Sequence, residues 1–425
     1  MSGSAGLVDS WYNILPDLPR PVPPPIDPFE DEWSHVELLN RIFPSVLLDQ
    51  EFTAERYIEV PDEVKRIYAS IGRPTPLRQA VNLEKMLSTP ARIYFKREDL
   101  SPTGSHKTNT AVAQAYYAKS EGVRELVTET GAGQWGSSLA LACSLYGIKC
   151  KVFMTRSSYE HKPYRRVLMQ MLGAEVIPSP SSVTETGRRV LSSNPNHVGS
   201  LGVAISEALE VVLKSPESRY AIGSVMNFVM IHQSVIGLEA IWQLEEIGVT
   251  PDIVIGCVGG GSNFCGLTFP MIGLKSRGEG YRETRFIAVE SLAAPKLTRG
   301  EYRYDYPDTA CILPLMKMYS IGKDYVPPPI HAAGLRYHAA APTLSLLVKE
   351  GLVEPRAYGQ DEVLEAAMMF AKAEGIVVAP ETAHAVKCVI DEAIKCRETG
   401  EKLNILFCLS GHGLLDLSSY EGITA

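Results

Sequence analysis

Short apolar runs alternate with helical stretches along the chain from about residue 91. ARIYFKRED, ELVTE, KCKVFMT and EVIPSP predict β-strands, because β-branched and aromatic residues are grouped in them. Between these runs, residues 107–121, SSLALACSLYG and YRRVLMQMLGA predict helices, the second of which ends at Gly147. This alternation predicts a parallel sheet with helices on both faces.

A second series of the same kind follows a helical section at 202–214. DIVIGCV and RFIAVE predict strands, and GIVVA, a helix at 382–396 and KLNILFCLSGHG repeat the pattern. Two series predict two α/β domains, which we expect at 61–225 and 226–425. Residues 1–60 are expected to form an N-terminal extension and the first helices, and PDLPRPVPPPIDP within them should be extended.

Composition and charge exclude several classes of function. Of 425 residues, 45% are hydrophobic and 21% are charged, which is typical of a globular protein in water. The net charge of -8, with no basic cluster, argues against a nucleic-acid partner. No apolar run reaches the roughly 18 residues of a membrane span, and no secretory signal is visible. We therefore expect a cytoplasmic protein that does not enter the membrane.

The spacing of the cysteines agrees with a cytoplasmic protein, and the spacing of the histidines bears on metal binding. The eight cysteines form no CxxC pair and lie mostly in apolar runs, which is typical of reduced, buried thiols. The nine histidines show no HExxH spacing, so no metal site is expected from them.

A glycine-rich loop follows the strand DIVIGCV and precedes a helix. It consists of Gly259, Gly260, Gly261, Ser262 and Asn263. Three glycines remove the Cβ atoms that keep backbone N–H groups away from an anion, and the helix N-terminus adds its dipole. The motif is neither a Walker loop nor GxGxxG. It predicts a phosphate site, and a plain tight turn is the alternative.

A second small-residue loop follows the strand ELVTE. Its exposed N–H groups suit a small anion such as a substrate carboxylate, and its residues are Thr130, Gly131, Ala132, Gly133 and Gln134. Glu129 ends the strand, where catalytic groups of α/β enzymes gather. An ordinary exposed acid is the alternative for Glu129.

A lysine and a serine complete the candidate chemistry. Lys107 precedes a helix for which Ser105 is the candidate N-cap, and a cation there opposes the helix dipole. Ser410 ends the strand before GHG, where a helix cap is the alternative role. A lysine, a phosphate site and a carboxylate site together describe a pyridoxal phosphate (PLP) enzyme of amino-acid metabolism, in which the lysine forms a Schiff base.

Six motifs support a family resemblance over roughly residues 70–420. GSHKTN, ETGAGQWG, MLGAEV, GGGSN, APETAHA and LSGHG occur in that order, and with them the chain resembles the β subunit of tryptophan synthase, in its divergent second type. The resemblance implies a fold-type II PLP enzyme with two three-layer α/β domains, mostly parallel sheets and the cofactor between them. It also implies a homodimer, a mobile communication region at about 122–212, and condensation of indole with the aminoacrylate from L-serine to give L-tryptophan.

The resemblance assigns roles by motif. Lys107 would be the Schiff-base lysine, and Glu129 the acid–base group facing indole and the substrate β-position. Residues implied at the cofactor are His106, Asn109, Ser224, Gly259, Gly260, Gly261, Ser262, Asn263, Glu381 and Ser410. Thr130 to Gln134 would hold the substrate carboxylate. A monovalent cation at the backbone of Gly259, Tyr337 and Ala339 is a further implication.

Arg336 departs from the family pattern. It lies in HAAGLRYHAAAP, where the family usually carries an aspartate that meets the substrate hydroxyl. Guanidinium binds phosphate well, so we expect O-phosphoserine to be a better donor than serine, with His338 assisting. The alternative is that Arg336 pairs with a local acid and only shapes loop closure.

Two further departures concern the nucleophile and the partner. Trp135 replaces a usual histidine, and its ring narrows the pocket for the nucleophile. Gly202 stands where a lysine that contacts the α subunit is expected, so we expect at most weak or transient binding of an α subunit. The N-terminal extension is expected either to cover that face or to be a simple linker.

Two rival functions remain open from the sequence. Another fold-type II activity, such as serine or threonine deaminase or threonine synthase, is the enzymatic rival, although ETGAGQ differs from the SSGNH-type loop of deaminases. A catalytically silent partner subunit is the other, although Lys107, Glu129 and Ser410 are all present.

Overall fold

The computed structural model describes residues 6–27, 35–421 and 423. The strands are β1 Ser10–Tyr12, β2 Tyr57–Glu59, β3 Leu77–Gln79, β4 Arg92–Arg97, β5 Glu125–Thr130, β6 Lys149–Thr155, β7 Glu175–Ser179, β8 Ser218–Tyr220, β9 Ile253–Cys257, β10 Arg285–Ser291, β11 Glu301–Asp305, β12 Met316–Ser320, β13 Glu354–Tyr358 and β14 Asn404–Leu409.

The helices alternate with these strands over most of the chain. They are α1 His35–Ile42, α2 Ser45–Phe52, α3 Asp62–Ser70, α4 Val81–Leu87, α5 Thr108–Ser120, α6 Gln134–Tyr146, α7 Arg156–His161, α8 Pro163–Met171, α9 Glu185–Ser193, α10 Leu201–Lys214, α11 Asn227–Gln233, α12 Val235–Glu246, α13 Ser262–Ser276, α14 Lys296–Arg299, α15 Pro342–Lys349, α16 Gln360–Glu374 and α17 Pro380–Thr399.

Two mostly parallel sheets organise the fold. The larger has the order β13-β10-β9-β14-β4-β3, in which only β3 is antiparallel. The smaller has the order β7-β6-β5-β8 and is wholly parallel. The short pairs β1-β2 and β11-β12 are antiparallel. The predicted α/β class with mostly parallel sheets is confirmed.

Strand alternation divides the side chains of the larger sheet between two hydrophobic cores. On β9, Ile253 and Ile255 belong to one core, whereas Val254 belongs to the other. Helix α17 packs on β9 and β14, and α13 packs on the same two strands. Because both faces are covered, these strands read as nearly continuous apolar runs in the sequence.

One predicted strand is wrong. Residues 375–379, GIVVA, form no strand, and only Val378 makes a single bridge, to His412. Helix α16 ends at Glu374 and α17 begins at Pro380, so the segment is a short connection between two helices. Val378 and Ala379 of this segment are buried, and Ile376 and Val377 pack partly buried against one of the two cores.

The larger sheet contains strands from both predicted domains. Strand β4 pairs with β14, and β3 pairs with β4 at the edge of the sheet. The chain therefore starts in the larger sheet, builds the smaller one and returns. Boundaries at 61 and 226 remain predictions.

The cysteines and helices bear on two other expectations. All eight cysteines are free thiols, and Cys311 alone among them is not fully buried. Within the described part of the chain, no helix has the length and apolar character needed to cross a bilayer.

Candidate active site

A cavity lies at the carboxyl ends of β5, β9 and β14, beside the start of α5. This is where parallel α/β sheets bind ligands. It gathers most of the predicted residues, which are His106, Lys107, Glu129, Thr130, Gly131, Ala132, Gln134, Trp135, Ser224, Gly259, Gly260, Gly261, Ser262, Asn263, Glu381 and Ser410.

Lys107 immediately precedes α5 and lines this cavity. Its amine donates to the carbonyl oxygen of Gly223 at 3.2 Å. Burial lowers the pKa of Lys107 to about 8, and the charge of Glu129 opposes that shift. The prediction that Ser105 is the N-cap of α5 is wrong. The helix begins at Thr108, and the Ser105 hydroxyl accepts a hydrogen bond from the Lys107 N–H at 3.3 Å.

The glycine loop before α13 forms a cradle with one free donor. The Ser224 hydroxyl is buried and has no hydrogen-bond partner in the described structure. A Cβ at Gly260 would lie 2.3 Å from this hydroxyl, so only glycine leaves the space open. Together with the N-terminus of α13, the unpaired Ser224 hydroxyl fits a phosphate group.

His106 and Asn263 brace this cradle. His106 Nε2 lies 3.1 Å from the Ser262 hydroxyl, and its Nδ1 lies 3.3 Å from the Ser410 carbonyl oxygen. Burial, together with the charge of Lys107, lowers the pKa of His106 to about 3, so the ring is neutral at physiological pH. Asn263 donates to the Cys257 carbonyl at 3.3 Å and thereby fixes the start of the loop.

The second loop leads into α6 and is held from two sides. Gln134 donates to Glu381 at 2.9 Å, and Glu381 also accepts from the Gly334 N–H at 2.8 Å. The first N–H groups of α6 carry the positive end of the helix dipole, which suits a carboxylate. Gly133 does not line the cavity, but its φ of +94° makes the turn into the helix.

Glu129 is the acid of the cavity. Burial raises its pKa to about 7, and a hydrogen bond from the Tyr220 hydroxyl opposes the rise. The alternative of an exposed acid is excluded, because Glu129 is 6% exposed. A carboxyl that titrates near neutral pH suits general acid–base chemistry.

Ser410 directly follows β14 and lines the cavity. Its hydroxyl is 2.8 Å from the Thr382 hydroxyl and 3.5 Å from the Cys257 thiol. It caps no helix, because α17 begins elsewhere and its own strand leads into a loop. Burial raises the pKa of Cys257 to about 11, so this thiol is protonated and unreactive.

Comparison with known proteins gives the same family as the motifs. Residues 69–411 match the family described as pyridoxal-phosphate dependent enzyme. Tryptophan synthase beta chain 2 of Pyrococcus abyssi is 60% identical over 411 residues, which cover 97% of this chain and 93% of that one. The protein of the same name from Aeropyrum pernix is 61% identical over 414 residues, covering 97% and 92%. The chain belongs to the tryptophan synthase β-chain family of PLP-dependent enzymes.

Solved structures confirm the fold of this family. A fungal L-serine ammonia-lyase from Rhizomucor miehei has a TM-score of 0.60 at 18% identity, covering 82% of this chain and 96% of that one. Threonine deaminase isoform 2 of Solanum lycopersicum has a TM-score of 0.61 at 19% identity, covering 96% and 98%. At these identities the likeness shows a shared fold-type II architecture.

Asn109 lies outside the cavity, contrary to the role that the resemblance implies. It follows Lys107 by two residues on a helix, so it points to the far side. Its amide donates to Glu98 at 3.0 Å and to Gln233 at 3.1 Å, and its oxygen accepts from Arg73 at 2.7 Å. Asn109 therefore ties α5 to a buried ionic network.

Arg336 and His338 also lie outside the cavity lining, although Leu335 and Tyr337 line it. Arg336 donates to the Ser157 hydroxyl at 3.2 Å and to the Pro327 carbonyl at 2.6 Å. Among the described residues it has no ion pair, so the alternative of a local acid partner is wrong. His338 lies 2.9 Å from the Tyr306 carbonyl oxygen, and burial lowers its pKa.

Several cavity residues were not predicted. They are Leu201, Ile205, Ile222, Gly223, Val225, Cys257, Gly334 and Leu335. Leu201 and Ile205 are four positions apart on α10, so they share a face, and this spacing was the available signal. Trp135 lies near them and donates to the Thr128 hydroxyl at 2.6 Å.

The expected cation site is not tested by the side chains. In the described chain, no three His, Cys, Asp or Glu side chains are grouped to hold a metal ion. A cation bound by the backbone of Gly259, Tyr337 and Ala339 stays a prediction.

Proposed function

We propose that this protein joins indole to a three-carbon unit derived from serine or O-phosphoserine, giving L-tryptophan. The observation that carries the proposal is one cavity that brings Lys107, Glu129 and two anion-binding loops together. The chain belongs to a family of PLP-dependent enzymes, so its cofactor is PLP. PLP, when bound, provides the electron sink that lets bonds at the substrate α- and β-carbons break.

Lys107 and Glu129 divide the proton transfers in this proposal. The lowered pKa of Lys107, about 8, makes its amine available as a base and as the attachment point for PLP. Glu129, with a pKa of about 7, protonates the leaving group and accepts a proton from the incoming nucleophile.

The remaining residues bind and orient. Ser224 and the loop from Gly259 to Asn263 would hold the phosphate, and the loop from Thr130 to Gln134 would hold the substrate carboxylate. Ser410 offers a neutral hydroxyl, which does not favour a protonated pyridine nitrogen and so suits β-elimination better than transamination.

An apolar wall supports an aromatic nucleophile. The side chains that line the cavity include the apolar or aromatic residues Leu201, Ile205, Ile222, Trp135 and Leu335. A flat indole buries its faces against such side chains, and the wall excludes the water that would hydrolyse the reactive intermediate.

We propose O-phosphoserine as the better donor. Arg336 is 5% exposed, and its guanidinium has only neutral partners, with Nε unpaired. A buried cation without a carboxylate partner is costly, and a substrate phosphate near the loop from Gly334 to Arg336 would compensate it.

The test is tryptophan formation by purified protein from indole with serine or with O-phosphoserine. We expect both donors to react and O-phosphoserine to give the larger kcat/KM. Equal or better turnover of serine would refute the donor assignment alone. Rapid pyruvate formation that indole does not suppress, without tryptophan, would instead indicate a deaminase.

A second measurement addresses the catalytically silent alternative. Borohydride should bleach the visible absorbance of the PLP-loaded wild type and fix the cofactor covalently, and Lys107→Ala should lose both this reducible absorbance and activity. A wild type with neither property would show that the fold is kept only for assembly.

We also propose a cytoplasmic homodimer with weak or transient binding of an α subunit. Gly202 packs on Thr309, and a Cβ there would lie 2.4 Å from the Thr309 hydroxyl. Ile26 of the N-terminal extension pairs with Leu315, which follows Thr309 closely in the sequence. These contacts support an α-contact face that the chain itself covers. Light scattering with and without an α subunit measures both properties.

A further inference from the structure

Lys296, at the start of α14, is a buried cation that the proposed chemistry does not use. Its side chain has no exposed surface, and its ammonium donates to the Val258 carbonyl at 2.9 Å and approaches the Ala294 carbonyl at 3.5 Å. Burying an ammonium group is costly unless its partners compensate the charge. The site therefore requires an explanation beyond packing.

The nearest carboxylate is that of Glu290, which forms a buried ion pair with the ammonium but lies farther from it than the Val258 carbonyl does. Glu290 is 3.7 Å from the ammonium and is also fully buried. Its oxygens accept from the N–H groups of Leu297 and Thr298 at 2.9 and 2.8 Å and from the Thr298 hydroxyl at 2.7 Å. Glu290 thus caps α14, and its shorter hydrogen bonds go to that helix.

The Val258 carbonyl connects Lys296 to the phosphate cradle. Val258 is the residue before Gly259, and its N–H donates to Val289 at 2.7 Å. The ammonium and the neighbouring strand therefore hold the same residue from both ends. The glycines that follow have no side chains to fix their backbone, so the orientation of this residue sets where their N–H groups point.

We propose that Lys296 is a positioning residue for PLP, a built-in cation that fixes the phosphate-binding loop through the Val258 carbonyl. An ammonium on carbonyl oxygens does what a bound monovalent cation does, and here it cannot dissociate. It would therefore take the place of the cation expected at the backbone of Gly259, Tyr337 and Ala339. The inference rests on the proposed function only in taking this loop to hold the phosphate of PLP.

The test is the affinity of the cofactor-free protein for PLP, followed by visible absorbance in a buffer whose only cation is tetramethylammonium. In wild type, we expect no change of affinity on adding potassium or ammonium ions. In Lys296→Met, we expect affinity to fall about 10- to 100-fold, the effect of losing a hydrogen bond to a charged group. Ammonium or potassium ions should restore most of it, because they can enter the space that the amine leaves.

Two variants control the measurement. Lys275→Met removes a lysine that also donates to a backbone carbonyl, that of Thr284 at 2.8 Å, at the other end of α13. Its PLP affinity should match wild type. Lys296→Gln keeps a donor but lacks the charge, so it should bind PLP more weakly than wild type and gain less from added ions than Lys296→Met.

Three results would overturn the proposal. They are unchanged PLP affinity in Lys296→Met, a loss that no monovalent ion restores, and a wild type whose PLP affinity needs potassium. The wild-type arm decides even if the variants fail to fold. A wild type that binds PLP without added cations but makes no tryptophan would refute the proposed function and leave the role of Lys296 intact.

Discussion

The Tyr220 hydroxyl donates to the Glu129 carboxylate, joining the end of β8 to the end of β5 beside the cavity. Burial raises the pKa of Glu129 to about 7, and this hydrogen bond favours the charged form. The balance sets the carboxyl to exchange a proton near neutral pH. Glu129 can therefore act as an acid in one step and as a base in another.

Removing that donor should move the pH profile. With Tyr220→Phe, the carboxylate loses a stabilising partner, so its pKa rises further. In the wild type, kcat/KM for indole plotted against pH should have a limb that rises through about pH 7. In Tyr220→Phe, we expect this limb to shift to higher pH. Tyr420→Phe, which removes a buried hydroxyl bonded to the Val378 carbonyl, should leave the limb in place. Rates from about pH 5.5 to 9 measure it, and an unshifted limb would show that Glu129 does not control it.

Replacing the acid itself should remove most of the activity. Glu129→Gln keeps the shape but neither accepts nor gives a proton, so kcat should fall by about 10²- to 10⁴-fold, the usual share of general acid–base catalysis. PLP absorbance should remain, because the cradle is intact. A variant that retains wild-type kcat would assign the proton transfers to another group.

A methyl group in the cradle should weaken cofactor binding. Gly260→Ala places a Cβ 2.3 Å from the Ser224 hydroxyl, closer than any relaxed contact. We expect a large loss of PLP affinity while the fold is kept. Gly280→Ala is the matched control, since nothing lies within 4 Å of its Cβ and its φ is not left-handed. PLP titration compares them, and equal affinities would contradict a phosphate site at Gly260.

Two buried ion pairs join the start of α8 to Asp416 and should contribute strongly to the free energy of unfolding. Asp416 accepts from Lys162 at 2.7 Å and from Arg165 at 3.0 Å, and Arg165 is fully buried. Asp416→Asn leaves two cations without a counter-charge, so the free energy of unfolding should fall by about 3–5 kcal/mol. Asp62→Asn, whose side chain is 91% exposed in its ion pair with Lys65, should cost less than about 1 kcal/mol. Urea unfolding measures both, and similar costs would refute the argument.

Arg336 should decide the donor. In Arg336→Ala, a phosphate loses its proposed partner, so kcat/KM for O-phosphoserine should fall by at least about tenfold relative to that for serine. Arg20→Ala, at the partly exposed ion pair with Glu350, should leave the ratio unchanged. Steady-state kinetics with both donors measure the ratio. A ratio unaffected by Arg336→Ala would limit this residue to its observed contacts with Ser157 and Pro327.

Part of the site was predictable from the sequence because its chemistry is local. The glycines at 259–261 and the loop at 130–134 stand next to a helix start, where backbone N–H groups suit an anion, and a few consecutive residues suffice to recognise that. The alternation of strands with helices along the chain and the apolar runs likewise predicted the parallel sheets. The segment GIVVA was misassigned because a short apolar run has the same composition whether it is a strand or a buried connection.

The sequence alone determined which loops suit anions, that Lys107 stands at the start of a helix, and that the fold is α/β. Tertiary structure decided which side chains meet. It places Tyr220 on Glu129 and Thr382 on Ser410, turns Asn109 away from the cavity and puts the ammonium of Lys296 on the Val258 carbonyl, just before the glycine loop. The physical reason is that backbone propensity depends on neighbours in the chain, whereas desolvation, pKa and ion pairing depend on neighbours in space.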